Sequence, residues 1–79
     1  MLREDEITRI GLAVAVALRL ARESAGLSKN ALAQKAGVAV QTVSFIEGGV
    51  NSPSIATFLR LCDALAIEPE VILEKARKL

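Results

Sequence analysis

Apolar residues recur at spacings of three and four along almost the whole chain, and no stretch alternates with the period of two that a half-buried strand requires, so the pattern predicts helices throughout. The first helix is predicted from about Glu6 to Ser24, with Asp5 as N-cap and Gly26 as stop. Its core-facing stripe is Ile7, Ile10, Val14, Leu18 and Ala21. A second apolar row, Leu12, Val16 and Leu20, points away from the first at about 100° per residue and lies between Arg9, Arg19 and Glu23.

Turn residues divide the rest. Ser28 can accept from free backbone N–H groups and Gly37 can end a helix with positive φ, which predicts a short helix over Lys29 to Ala36. Another spans about Val40 to Glu47 and is closed by Gly48-Gly49, with Val50-Asn51-Ser52-Pro53 as a loop. Ser52 or Ser54 caps a fourth helix reaching about Leu65, with Pro53 at or near its first turn, and a fifth runs from near Pro69 to the end. Leu32, Ala36, Val38, Val43 and Ile46 fall between the two short helices. Small Ala33 allows a close crossing, Gly37 a tight corner, and Val43 a wedge in the angle.

These residues resemble a helix-turn-helix. Together with Leu27-Ser28 before them, and Glu47-Gly48-Gly49 and Asn51-Ser52-Pro53-Ser54 after them, the likeness extends to the lambda-repressor-like, Cro/C1-type (XRE) family over roughly Ile10 to Leu73. The size is similar to that of restriction-modification controller proteins and small phage-type repressors. The resemblance implies an all-α, compact five-helix domain occupying residues 1–79, with the helix-turn-helix at about 29–48. It also implies that the helix over Val40 to Glu47 enters the DNA major groove while its predecessor braces across the phosphates. By position, Val40, Gln41, Ser44 and Phe45 then face base edges, Ala39 stands at the helix entrance, and Ser28 and Lys29 meet a phosphate. Gln41 has an amide that can donate and accept together, which suits adenine N6 and N7. A plain solvated helix position is the other reading for Gln41 and Ser44. For Phe45 and Val40 two uses stand open, contact with a thymine methyl or anchorage of another protein. Arg22 and Glu47 fall where family members form a partly buried pair, which fixes geometry more surely than it adds stability.

Composition narrows the chemistry. With 79 residues, 52% of them hydrophobic and 24% charged, the chain fits one small domain. A net charge of +1 gives no bulk attraction for nucleic acid, so any basic surface is local. Residues 1–27 are neutral, residues 28–60 set Lys29, Lys35 and Arg60 against Glu47 alone, and the tail carries a slight acidic excess. No basic residue lies between Lys35 and Arg60, whereas the family's recognition helix usually carries one or more. Affinity per monomer and salt sensitivity are therefore expected to be modest.

There is no His, Trp or Tyr and only one Cys, which removes the imidazole relay, the usual zinc ligand sets and any intramolecular disulfide. Cys62 is in phase with Phe58 and Leu65 and is read as a small core residue, not a nucleophile. Gly48-Gly49 lacks the strand and Lys of a phosphate loop, and the carboxylates are scattered. No enzyme, cofactor or metal is expected. The longest apolar run, Gly11 to Leu18, is too short for a membrane span, and acidic Arg3-Glu4-Asp5-Glu6 is unlike a secretory leader. A cytoplasmic location is expected.

One small core cannot absorb both rows of helix 1. Leu12, Val16 and Leu20 are expected to pack on another subunit, on a different protein, or on the last helix folded back. That helix offers Val71, Ile72, Ala76 and Leu79 as further interface residues. The favoured outcome is a homodimer that reads a palindromic or near-palindromic operator in double-stranded DNA. An antitoxin-like or other protein-interaction module with secondary DNA binding is the alternative.

Overall fold

In the computed structural model, which describes residues 1–79, the chain forms five helices and no strand: α1 Glu4–Ser24, α2 Lys29–Ala36, α3 Val40–Glu47, α4 Ile55–Ala64 and α5 Pro69–Lys78. None is long and apolar enough to cross a membrane. Leu18, Leu32, Val43, Leu61, Cys62 and Ile72 are the largest fully buried side chains, so every helix contributes to one core. No polar or charged residue is buried outright. The centre of the interior is therefore apolar.

The ends of the helices follow from local chemistry. Ser28 Oγ accepts from the Ala31 N–H at 3.0 Å, and Ser54 Oγ, the second of the two serines considered, accepts from Thr57 N–H at 3.1 Å. Pro53 precedes that cap, while Pro69 occupies the first turn of α5, where its missing N–H costs nothing. Gly37 stops α2 at φ +74, ψ +33, letting the Val38 N–H reach the Ala33 carbonyl at 3.0 Å. At the start of the chain the helix begins two residues earlier than expected. Arg3, not Asp5, is the N-cap, and the Glu6 carboxylate accepts from its backbone N–H.

Two further corrections concern which faces are covered. Ile7 has the phase of the core stripe yet is exposed. The 21-residue α1 buries no residue before Ala13, so its first turns lie at the edge of the core. Ile72 and Ala76, expected at an interface, are both 0% exposed. They stand four apart on one face of α5, and that face is the one laid against the rest of the fold, with α1 its most extensive neighbour. Alanines at 13, 15 and 17 are buried on α1, and such small side chains permit close approach of the neighbouring helices.

Candidate nucleic-acid interface

The α2–turn–α3 unit is built around residues that leave one edge of α3 outside. Val43 and Ile46 point inward, 1% and 3% exposed, and pack in the same cluster as Leu32, Ala33 and Ala36 of α2. That orientation turns Val40, Gln41 and Phe45 to solvent, and half-buries Ser44. Phe45 is 43% exposed, although an aromatic ring gains most from burial. Ala39 is exposed at the N-cap of α3 in an extended conformation and gives no side-chain cap, so the Val40 and Gln41 N–H groups are left for an outside acceptor, while Thr42 N–H donates to the Ala39 carbonyl at 3.0 Å. Ser28 and Lys29 are exposed at the start of α2. Ser28 is already engaged as a cap, but its hydroxyl hydrogen remains available as a donor.

Arg22 holds this unit to α1. Its Nε and Nη2 donate to the two carboxylate oxygens of Glu47, at 2.7 and 3.0 Å, and Nη1 donates to the Leu27 carbonyl at 2.9 Å. The side chains are only 11% and 4% exposed. The hydrogen bond with Glu47 holds the guanidinium above its ordinary pKa against the opposing effect of burial. Sequence reasoning reached the pair but missed the third bond, because a backbone carbonyl leaves no residue signature. That bond matters for geometry: one guanidinium fixes the end of α3 and the residue before the α2 cap together.

The pair also changes the local electrostatics. Glu47 is the sole acidic residue between Glu23 and Asp63, and its charge is cancelled by Arg22. Lys29, Lys35 and Arg60 are therefore left without a free carboxylate anywhere in that segment. An anion meets a surface more positive than the sequence count suggests.

The C-terminal side of α3 is tied down as well. Val50 and Asn51 N–H groups both donate to the Phe45 carbonyl, at 2.9 and 3.3 Å, and Gly49 takes φ +73. A Cβ on Gly49 would stand 3.0 Å from Leu12 Cδ2, the end of an exposed and flexible side chain, so the positive φ more than the contact favours glycine in this turn.

A family model described as helix-turn-helix matches residues 18–72, from the middle of α1 through the first part of α5. The chain belongs to the Cro/C1-type helix-turn-helix family. Among curated proteins, none matches it. Membership assigns the α2–α3 unit to DNA binding in general, and the five-helix order agrees with it. Of the groove and phosphate residues expected on this unit, Ala39, Val40, Gln41, Phe45, Ser28 and Lys29 are exposed and Ser44 is half-buried.

The residues expected at a subunit or partner interface are divided. Leu12 is 51% and Leu20 44% exposed, with Val16 half-buried between them, and Val71 and Leu79 are exposed. Ile72 is not among them, for the reason given above. Leu20 and Leu79 line one groove of about 560 Å³ between α1, the turn after α4 and α5, with Lys75 and Lys78 also on its walls. The last helix thus folds back beside α1 but leaves part of the second row uncovered.

Proposed function

We propose that the protein is a sequence-specific transcriptional regulator that binds a palindromic or near-palindromic operator as a homodimer, with α3 in the major groove. One observation carries the reading. An uncharged edge of Val40, Gln41, Ser44 and Phe45 is turned outward while the single nearby acid is locked to Arg22. Such an edge can approach base edges without electrostatic penalty and reads them by amide hydrogen bonds and apolar contact. Gln41 would pair with an adenine, and Phe45 or Val40 would meet a thymine methyl. Ser28 and Lys29 would position the unit on a phosphate. A domain of this kind needs no catalytic group and acts by occupying its site.

Binding-site selection from random duplexes tests this. The expected product is a short motif repeated with twofold symmetry, its half-sites about 34 to 36 Å apart. Recovery of no preferred sequence, with a second polypeptide co-purifying, would favour the protein-interaction module that exposed Phe45 and Leu20 also suit.

A further inference from the structure

The partly uncovered row on α1 has a symmetry of its own. Leu12 and Leu20 stand four residues either side of Val16, and Arg9 and Glu23 stand seven either side. On a helix these offsets return to within about 40° of the direction of Val16, so all five share one face. The face is apolar at its centre, with Arg9 toward one end and Glu23 toward the other, and Asp5 lies on the same face one turn beyond Arg9. Arg9 takes part in none of the chain's four ion pairs, its Nη1 donating only a long hydrogen bond to the Leu79 carbonyl at 3.5 Å, and Glu23 is met by half-buried Arg19 at 3.6 Å.

We propose that a second copy of this chain covers this face, the two α1 helices packing antiparallel about a twofold axis that passes beside Val16. The proposal rests on the homodimer reading above and specifies its interface and register. In this register Val16 meets Val16 of the other copy, each Leu12 meets a Leu20, and each Arg9 meets a Glu23. A parallel arrangement would instead set Arg9 against Arg9 and Glu23 against Glu23, so the charges select the antiparallel one. A foreign partner has no reason to match a pattern that is complementary to its own reverse. Isologous pairing requires that property.

The rest of the fold is compatible with this axis. Ala15, about 100° round the helix from Val16, lines a hollow with Ile46 and Gly49, so α3 and its turn sit on one flank of the proposed interface. On the other flank, Leu20 and Ala21 line the groove shared with α5. Rotation about an axis perpendicular to both α1 helices keeps both copies of α3 on the same side of the dimer. A palindromic duplex requires that disposition. The matched family region begins at residue 18, so Arg9, Leu12 and Val16 lie outside it.

The test is charge reversal read by sedimentation equilibrium on the full chain, with helical circular dichroism as the check on folding. Wild type is expected at twice the 8.4 kDa chain mass. Arg9→Glu and Glu23→Arg, each of which creates two like-charge contacts per dimer, are expected to weaken association about tenfold or more. The double variant, with the charges exchanged, is expected to recover it. As an independent readout, Val16→Cys is expected to oxidise to a covalent dimer, and Leu59→Cys, exposed on α4, is not. A wild-type chain that stays at monomer mass overturns the proposal, with or without a foreign polypeptide bound. So does a dimer indifferent to both single reversals, or a double variant that fails to recover. Dimer formation through another face, with palindrome selection intact, sinks this register and leaves the DNA-binding reading standing. A charge-sensitive dimer that selects no site does the reverse.

Discussion

Arg22 and Glu47, 25 residues apart in sequence, meet in a two-bonded ion pair at 2.7 and 3.0 Å that joins α1 to the last residue of α3. The same guanidinium holds the Leu27 carbonyl at 2.9 Å. Desolvation offsets much of the attraction in a pair so nearly buried, so its main effect is to fix one geometry. Losing one partner is different. Arg22→Ala leaves a carboxylate that is 4% exposed without its counter-ion and is expected to cost about 3 kcal/mol or more in urea unfolding. Arg22→Met combined with Glu47→Leu is expected to cost clearly less than the two single changes added together. Strict additivity would show that the two side chains do not act as a unit.

The sign of the Arg22 shift bears on pH. A folded-state pKa raised above the ordinary arginine value contributes stability that is complete below the unfolded-state pKa and is lost only above it. Both values lie far above neutrality. Between pH 6 and 8, roughly, stability is expected to show no transition due to Arg22, and a denaturation midpoint that fell across that interval in wild type but not in Arg22→Met would contradict the assignment.

Backbone conformation yields a pair of opposite expectations. Gly37 and Ala66 both hold positive φ, at +74 and +55, each just past the end of a helix. Gly37→Ala forces a Cβ into the left-handed region and is expected to destabilise by about 1 kcal/mol. Ala66→Gly relieves the same strain, and after the entropy lost by a more flexible unfolded chain it is expected to be neutral or stabilising by up to about 1 kcal/mol. Thermal unfolding of the two variants separates these signs.

Cys62 is 1% exposed in the core cluster, and burial pushes its thiol pKa up. The thiolate is the reactive form, so labelling by a thiol reagent is expected to be negligible in the native protein and complete once it is unfolded. The labelling rate then reports the opening of the core. Rapid reaction in native buffer would place Cys62 outside it.

Lys29 supplies a test of the phosphate assignment. Lys29→Ala is expected to weaken binding to all sequences alike and to flatten the log-log salt dependence by about 0.9 per neutralised phosphate. A change confined to one base position would mean that Lys29 reads a base instead.

Much of this architecture is legible along the chain because each short helix carries its own punctuation. Ser28, Gly37 and Ser54 act locally, through bonds that span only a few residues, and the α2 and α3 boundaries coincide with those expected. The end of α4 is less plain. There the chain turns at Ala66, which has no glycine signal. Burial proved harder to read where it depends on partners distant in sequence. Ile7 has the right phase but lies in the first turns of α1, which bury no residue, and Ile72 looks available for an interface until α5 is laid beside α1. On the candidate site, the outward placement of Gln41 and Phe45 follows from the inward phase of Val43 and Ile46. The third bond of Arg22 and the fit of Leu12 against Gly49 are purely tertiary.

The most direct measurement is binding-site selection repeated with Gln41→Ala. If α3 reads bases, the variant still binds the selected duplex but loses preference at one position in each half-site, by about 1 to 3 kcal/mol, with the other positions unchanged. An identical set of selected sequences from wild type and variant would show that the exposed edge of α3 does not read DNA at Gln41, and the assignment of this helix to the major groove would fail.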